Sequence, residues 1–81
     1  MNSPEMEINE PKWKNRSFTY LELGAYYSPE VKPANASRRL KQWVTGNPKL
    51  LRSLLKMGWT RTQRILTPRQ VERIVEVLGE P

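Results

Sequence analysis

The 81-residue chain contains no cysteine, no histidine and no aspartate. Without cysteine there are no disulfides and no thiol chemistry, a composition that suits a cytosolic protein. Zinc fingers, histidine general bases and Ser-His-Asp triads are excluded as well. We therefore expect no enzymatic activity, no metal and no cofactor, and a function that depends on binding alone.

Long apolar runs are missing too. No segment approaches the roughly 18 apolar residues of a membrane-spanning helix. The first ten residues lack the basic start and the apolar stretch of a signal peptide, so we expect a cytoplasmic protein that does not associate with membranes. A chain of this length forms one small domain, which buries roughly 60% of its unfolded surface.

Acidic residues are absent from the centre of the chain. Between Val31 and Val71 there are ten basic residues, and all eight glutamates lie outside this window. The ten are Lys32, Arg38, Arg39, Lys41, Lys49, Arg52, Lys56, Arg61, Arg64 and Arg69. Such segregation of charge indicates a surface that binds a polyanion. The alternative is that these side chains only solvate helix faces.

Capping signals and apolar spacing predict four helices. They run from near Thr19 to before Pro29, from about Ala34 to Thr45, from Asn47-Pro48 to Gly58, and from Thr67-Pro68 to Gly79. Two of the starts, Thr19 with Glu22 and Thr67 with Gln70, fit capping boxes. The third has asparagine at the N-cap and proline at the first helical position.

These elements predict an all-α fold, with four short helices in a small bundle of helix-turn-helix type. Residues 1–15 are expected to form a flexible tail, and residues 16–81 a single helical domain. The stretch from Trp59 to Leu66 is polar and basic, and is either a loop or a short extended arm.

The apolar spacing also predicts the core. Helix two should bury Ala36, Leu40, Trp43 and Val44, whereas Tyr26 on helix one should lie at the surface. Helix three has a wide apolar face of Leu50, Leu51, Leu54, Leu55 and Met57. That face belongs either to the most buried helix of the bundle or to a docking surface for another protein.

The first two predicted helices and the turn between them look like a helix-turn-helix with a lengthened turn. In that motif the second helix enters the major groove of DNA. Arg38, Lys41 and Gln42 lie on its outer face, where arginine can bond guanine and glutamine can bond adenine. Ser37, near the helix start, either contacts a phosphate or completes the first helical turn.

Five further residues extend this predicted nucleic-acid-binding set. Lys49, Arg52 and Lys56 on helix three are suited to contact the DNA backbone. Arg61 and Arg64 either form an arm along the phosphates or in the minor groove, or belong to a solvated loop.

Three stretches of the chain, Ser17–Tyr27, Ala36–Trp43 and Leu66–Pro81, resemble a small family of domains of unknown function from anaerobic gut bacteria. The final run, which ends Leu-Gly-Glu-Pro, is the most specific. The resemblance implies one intact, basic domain and assigns no activity. The Thr-x-x-Glu-Leu opening at Thr19 and the Arg-Arg-Leu helix at residues 38–40 are similar to the start of excisionase and MerR-type regulators.

Together these features predict a DNA-binding protein, either a transcription regulator or an accessory architectural factor. Duplex DNA is favoured over RNA as the partner. The alternative is a non-enzymatic protein-interaction module, which forms a homodimer or docks on a protein partner.

Overall fold

Four helices and two short strands make up residues 15–81, the part of the chain that the computed structural model describes. In chain order they are β1 (Phe18–Thr19), α1 (Tyr20–Tyr27), α2 (Pro33–Thr45), α3 (Pro48–Lys56), β2 (Ile65–Leu66) and α4 (Pro68–Leu78). The four predicted helices are confirmed, and α2 begins one residue earlier than expected. The predicted tail lies outside the described residues, except for Asn15.

Local hydrogen bonds fix three of the four helix starts. The Thr19 hydroxyl accepts a bond from the Glu22 N–H at 3.0 Å, and the Thr19 N–H donates to the Glu22 carboxylate at 3.0 Å. Thr67 and Gln70 form the second capping box in the same way. The Asn47 side chain accepts from the Leu50 N–H at 3.1 Å. Helix α2 has no such side-chain cap.

The all-α prediction missed a two-stranded antiparallel sheet. Phe18 pairs with Leu66, and Thr19 pairs with Ile65. Each strand has two residues, so neither is long enough to show an alternating pattern in the sequence. The ambiguous stretch before α4 is therefore mostly a turn, and only its last two residues are extended.

The core lies between the helices and beneath the sheet. Its fully buried apolar side chains are Phe18, Leu23, Leu40, Val44, Leu50, Leu54, Leu66, Val71 and Ile74. Helices α1 and α2 approach closely at Gly24, where an added Cβ would lie 2.8 Å from the Ala36 carbonyl oxygen. A side chain at this position would push the two helices apart.

Trp43, which the spacing predicts to be buried, is exposed, and so is Leu55 on the apolar face of α3. Trp43 is 40% exposed and Leu55 is 53% exposed. Ala36, Leu40 and Val44 recur every four residues as the buried stripe of α2, and Trp43 lies at its edge. The buried face of α3 is likewise narrower than expected, since only Leu50 and Leu54 are fully enclosed.

Tyr26 is exposed at the surface, as predicted.

Candidate nucleic-acid interface

A groove of about 670 Å³ separates the start of α1 and the first half of α2 from the loop at residues 60–64. It is lined by Thr19, Tyr20, Leu21, Ala34, Ser37, Arg38, Lys41, Thr62, Gln63 and Arg64, and we call it the cationic groove. The structure thus brings together four of the nine predicted binding residues: Ser37, Arg38, Lys41 and Arg64.

Helix α2 supplies three of these four residues. Ser37, Arg38 and Lys41 lie within about one helical turn of each other; Arg38 is exposed, whereas Ser37 and Lys41 are half-buried beside the buried stripe of α2. Arg38 is exposed, and its guanidinium donates a hydrogen bond to the Asn35 side chain at 3.2 Å. The Lys41 ammonium lies 5.5 Å from the centroid of the Tyr20 ring, within the range of a cation–π contact.

Tyr20 provides a rigid wall for the cationic groove. Its hydroxyl accepts a hydrogen bond from the buried Trp59 indole at 2.9 Å. Burial raises the pKa of the Tyr20 phenol above its ordinary value, and the bond from Trp59 opposes this rise in part. The phenol is therefore uncharged at neutral pH, and the ring that faces Lys41 is held in place by the core.

Gln63 anchors the loop that forms the opposite wall. Its side-chain oxygen accepts from the Thr60 N–H at 3.1 Å, and its amide donates to the Ile65 carbonyl at 2.7 Å and to the Gln70 side chain. Gln70 is itself buried in the cap of α4. Arg64 therefore projects from an anchored turn, whereas the prediction for it was an extended arm or a solvated loop.

The positive charge of this region is not neutralised by contacts. The three ion pairs that the structure shows among residues 15–81 are Arg16–Glu22 at 3.5 Å, Arg39–Glu30 at 3.0 Å and Arg73–Glu76 at 3.0 Å. None of them includes a predicted binding residue. Glu22 is the acid nearest in sequence to the α1 wall, and both Arg16 and the Thr19 N–H occupy its carboxylate.

Arg39 differs from its neighbour Arg38. Its guanidinium donates to the buried Ser28 hydroxyl at 3.2 Å and to Glu30 at 3.0 Å, so it ties α2 to the preceding turn. A backbone hydrogen bond of Glu30 itself, followed by the bond from Arg39, lowers the pKa of the Glu30 carboxyl. Arg39 is thus a structural residue rather than part of the interface.

Residues 14–81 match the model of a family described as Domain of unknown function (DUF4248). The chain belongs to this family. No curated protein and no solved structure matches the chain significantly. The match confirms the predicted resemblance to a family of domains of unknown function, and it spans the whole cationic groove of this DUF4248 chain.

The other five predicted residues do not line the cationic groove. Lys49, Arg52 and Lys56 are exposed on α3, Arg61 is exposed in the loop, and Gln42 is exposed on α2. The predicted set is therefore divided into four residues that line the groove and five exposed residues outside it, three of which lie on α3.

Sequence reasoning missed several residues that shape the cationic groove in this DUF4248 domain. Tyr20 both belongs to the core and lines the groove, a double role that apolar spacing does not reveal. Gln63 was not singled out, although Thr60 and Gln63 have the spacing of a capping box. That spacing is the signal that would have identified an anchored turn.

The described part of the chain contains neither a cluster of metal ligands nor a helix suited to a membrane. Residues 15–81 hold no group of three or more acidic residues that could bind a metal ion. Among the described helices, none has the length and apolar character required to cross a membrane.

Proposed function

We propose that the chain binds duplex DNA, as a transcription regulator or an accessory architectural factor, with α2 as the element that enters the major groove. The observation that carries the proposal is the cationic groove. It places Lys41 and Arg38 opposite Arg64, on two rigid walls, without a carboxylate that neutralises them.

The composition of the cationic groove suits a sugar–phosphate strand. Lysine, arginine and serine side chains are common phosphate contacts, and Ser37, Lys41 and Arg64 supply all three. Leu21 and Ala34 add apolar surface that can contact the sugars. These contacts would position the protein on the duplex without selecting a sequence.

In this proposal, base recognition depends on two side chains of α2, Arg38 and Gln42. Arg38 and Gln42 are four residues apart, so they share one exposed face of the helix. Arginine recognises guanine and glutamine recognises adenine through two hydrogen bonds each. The proposal therefore separates Arg38 and Gln42, which select sequence, from Ser37 and Lys41, which hold the backbone.

The exposed residues of α3 extend the contact. Lys49, Arg52 and Lys56 are spaced by three and four residues, so they form one basic stripe. A second backbone contact of this kind would raise affinity equally for all sequences.

The test is the salt dependence of binding to a labelled random-sequence duplex, measured by fluorescence anisotropy. Each phosphate contact releases counterions, so six contacts give a log–log slope of about −5. The double variant Lys41→Ala/Arg64→Ala should reduce the magnitude of that slope by about two. The matched control is Arg73→Ala, because Glu76 already neutralises Arg73.

Absence of binding at low salt, an affinity that does not change with salt, or a slope that the double variant leaves unchanged would overturn the proposal. An RNA duplex of the same sequence serves as competitor. If it displaces the DNA more effectively than unlabelled DNA does, the partner is RNA.

A non-enzymatic protein-interaction module is the second candidate function. It is favoured by the exposure of large apolar side chains away from the cationic groove, above all Trp43 and Leu55. A basic DNA-binding surface would not require either of them.

A further inference from the structure

Trp43 and Tyr27 form a second concave site, which we call the aromatic corner. Their ring centroids are 6.1 Å apart and their planes meet at 83°. Together with Leu78 and Glu80, the two rings line a pocket of about 340 Å³. Trp43 lies about 200° around α2 from Lys41, at roughly 100° a residue. The aromatic corner therefore faces away from the cationic groove.

A hydrogen bond within the chain holds the aromatic corner in place without a partner. The Tyr27 hydroxyl donates a hydrogen bond to the Gly79 carbonyl, which ties the end of α1 to the end of α4. Burial, and then the negative charge of Glu80, raise the pKa of Tyr27 to about 12. The phenol therefore stays protonated and uncharged at neutral pH, and Glu80 lines the same pocket as the two rings.

We propose that the aromatic corner binds a cationic side chain, lysine or arginine, that a protein partner presents. The faces of tryptophan and tyrosine attract cations, and tryptophan is the strongest of the aromatic side chains. Leu78 offers an apolar surface for the aliphatic stem. Glu80 supplies the opposite charge and forms no ion pair within the described residues.

Charge argues against other occupants. A phosphate or a nucleic acid strand would be repelled by Glu80, and a purely apolar side chain would bury that carboxylate without a partner. The chain as a whole is strongly basic, with a net charge of +6. Among the described residues, in contrast, the aromatic corner is lined by the Glu80 carboxylate and by no basic residue, so this pocket suits a cation.

The experiment uses the full-length, ¹⁵N-labelled chain and two matched probes. Nα-acetyl-lysine methylamide carries the cation, and Nα-acetyl-norleucine methylamide has the same stem without it. We expect the lysine probe to shift the Trp43 indole N–H and the Glu80 amide in a saturable manner. It should bind about fivefold more tightly than the norleucine probe, which corresponds to about 1 kcal/mol.

Variants separate a cation site from a general apolar site. Glu80→Gln should abolish most of the preference for lysine over norleucine, and Trp43→Leu should abolish binding of both probes. The buried Trp59 indole is the internal control, since its resonance should stay in place. Glu80 is exposed, so Glu80→Gln remains informative even if Trp43→Leu fails to fold.

Three outcomes would overturn the proposal. The first is equal affinity for the two probes, which would indicate an apolar docking site. The second is the absence of saturable shifts at the aromatic corner, or shifts that map to α3 instead. The third is tighter binding of choline than of the lysine probe, which would assign the site to a free small cation.

Discussion

Helices α2 and α4 both carry arginines and both bury one apolar stripe, yet they differ in what surrounds their charges. On α4, Arg73 is paired with Glu76 at 3.0 Å. On α2 there is no glutamate, and Arg38 and Lys41 project into the cationic groove. The comparison shows that the charge of a basic residue stays unpaired only where no carboxylate is nearby, and the proposed binding surface depends on such unpaired charges.

The same distinction holds for two adjacent residues of α2. The Arg39 guanidinium donates hydrogen bonds to Ser28 and Glu30, whereas the Arg38 guanidinium donates to the uncharged Asn35 side chain. Their order in the sequence gives no reason to separate them. One step of about 100° around the helix places one arginine over a turn and the other over the groove.

The largest predicted effect concerns the buried and the exposed sides of α2. Leu40→Ala should lower the free energy of unfolding by about 2–5 kcal/mol, because Leu40 is fully buried. Trp43→Ala should cost less, about 1–2 kcal/mol, because Trp43 is 40% exposed and loses only partial burial together with the edge-to-face contact with Tyr27. Urea denaturation measures both, and a larger loss at Trp43 would show that this side of α2 belongs to the core.

The next prediction compares α2 and α4 directly. Arg38→Ala should weaken binding to a preferred duplex by about 1–3 kcal/mol if Arg38 reads a base. Arg73→Ala should have little effect, because Glu76 already balances its charge. Anisotropy titrations at fixed salt, with and without competitor DNA, measure the two variants. Equal losses would remove α2 as the recognition element.

A third prediction concerns how α2 is held against α1. Replacing glycine by alanine inside a helix ordinarily stabilises it by about 1 kcal/mol. At Gly24 the new Cβ would lie 2.8 Å from the Ala36 carbonyl, and overpacking costs about 1–3 kcal/mol. Gly24→Ala should therefore lower stability by up to about 2 kcal/mol in thermal or urea unfolding. A rise in stability would mean that the helices are not this close.

The smallest predicted effects are on α3. Lys49→Ala and Arg52→Ala should each reduce the magnitude of the salt slope by about one, with the same loss of affinity for every sequence. The measurement is the anisotropy titration at several salt concentrations, on two unrelated duplexes. A loss that depends on the duplex would contradict the backbone role, and would indicate that α3 reads bases.

Much of the helical architecture could be predicted because its signals are local. Thr19 with Glu22, Asn47 with Pro48, and Thr67 with Gln70 each act within one turn, and the structure contains all three caps. A capping bond depends on side chains three residues apart, so no distant part of the chain is needed to specify it.

The residues that line the cationic groove could be predicted only in part, because the groove is formed by segments that are far apart in the sequence. Arg38, Lys41 and Gln42 could be grouped on one helix face by their spacing, and Ser37 could be placed near the start of the same helix; Gln42 does not line the groove. Arg64 lines it because the loop after α3 is anchored by Gln63 and returns to pair β2 with β1. Lys49 and its neighbours on α3 had equally suitable chemistry but line no part of this groove.

By itself, the sequence determined the four helices, their starts and the segregation of charge, since each of these follows from neighbouring residues. Only the tertiary structure decided that Phe18 and Leu66 form a sheet, that Trp43 is exposed at the aromatic corner and that Arg39 is used structurally. The physical reason is that these outcomes depend on which surfaces meet when separate segments bury their apolar faces together, and the spacing within one segment does not contain that information.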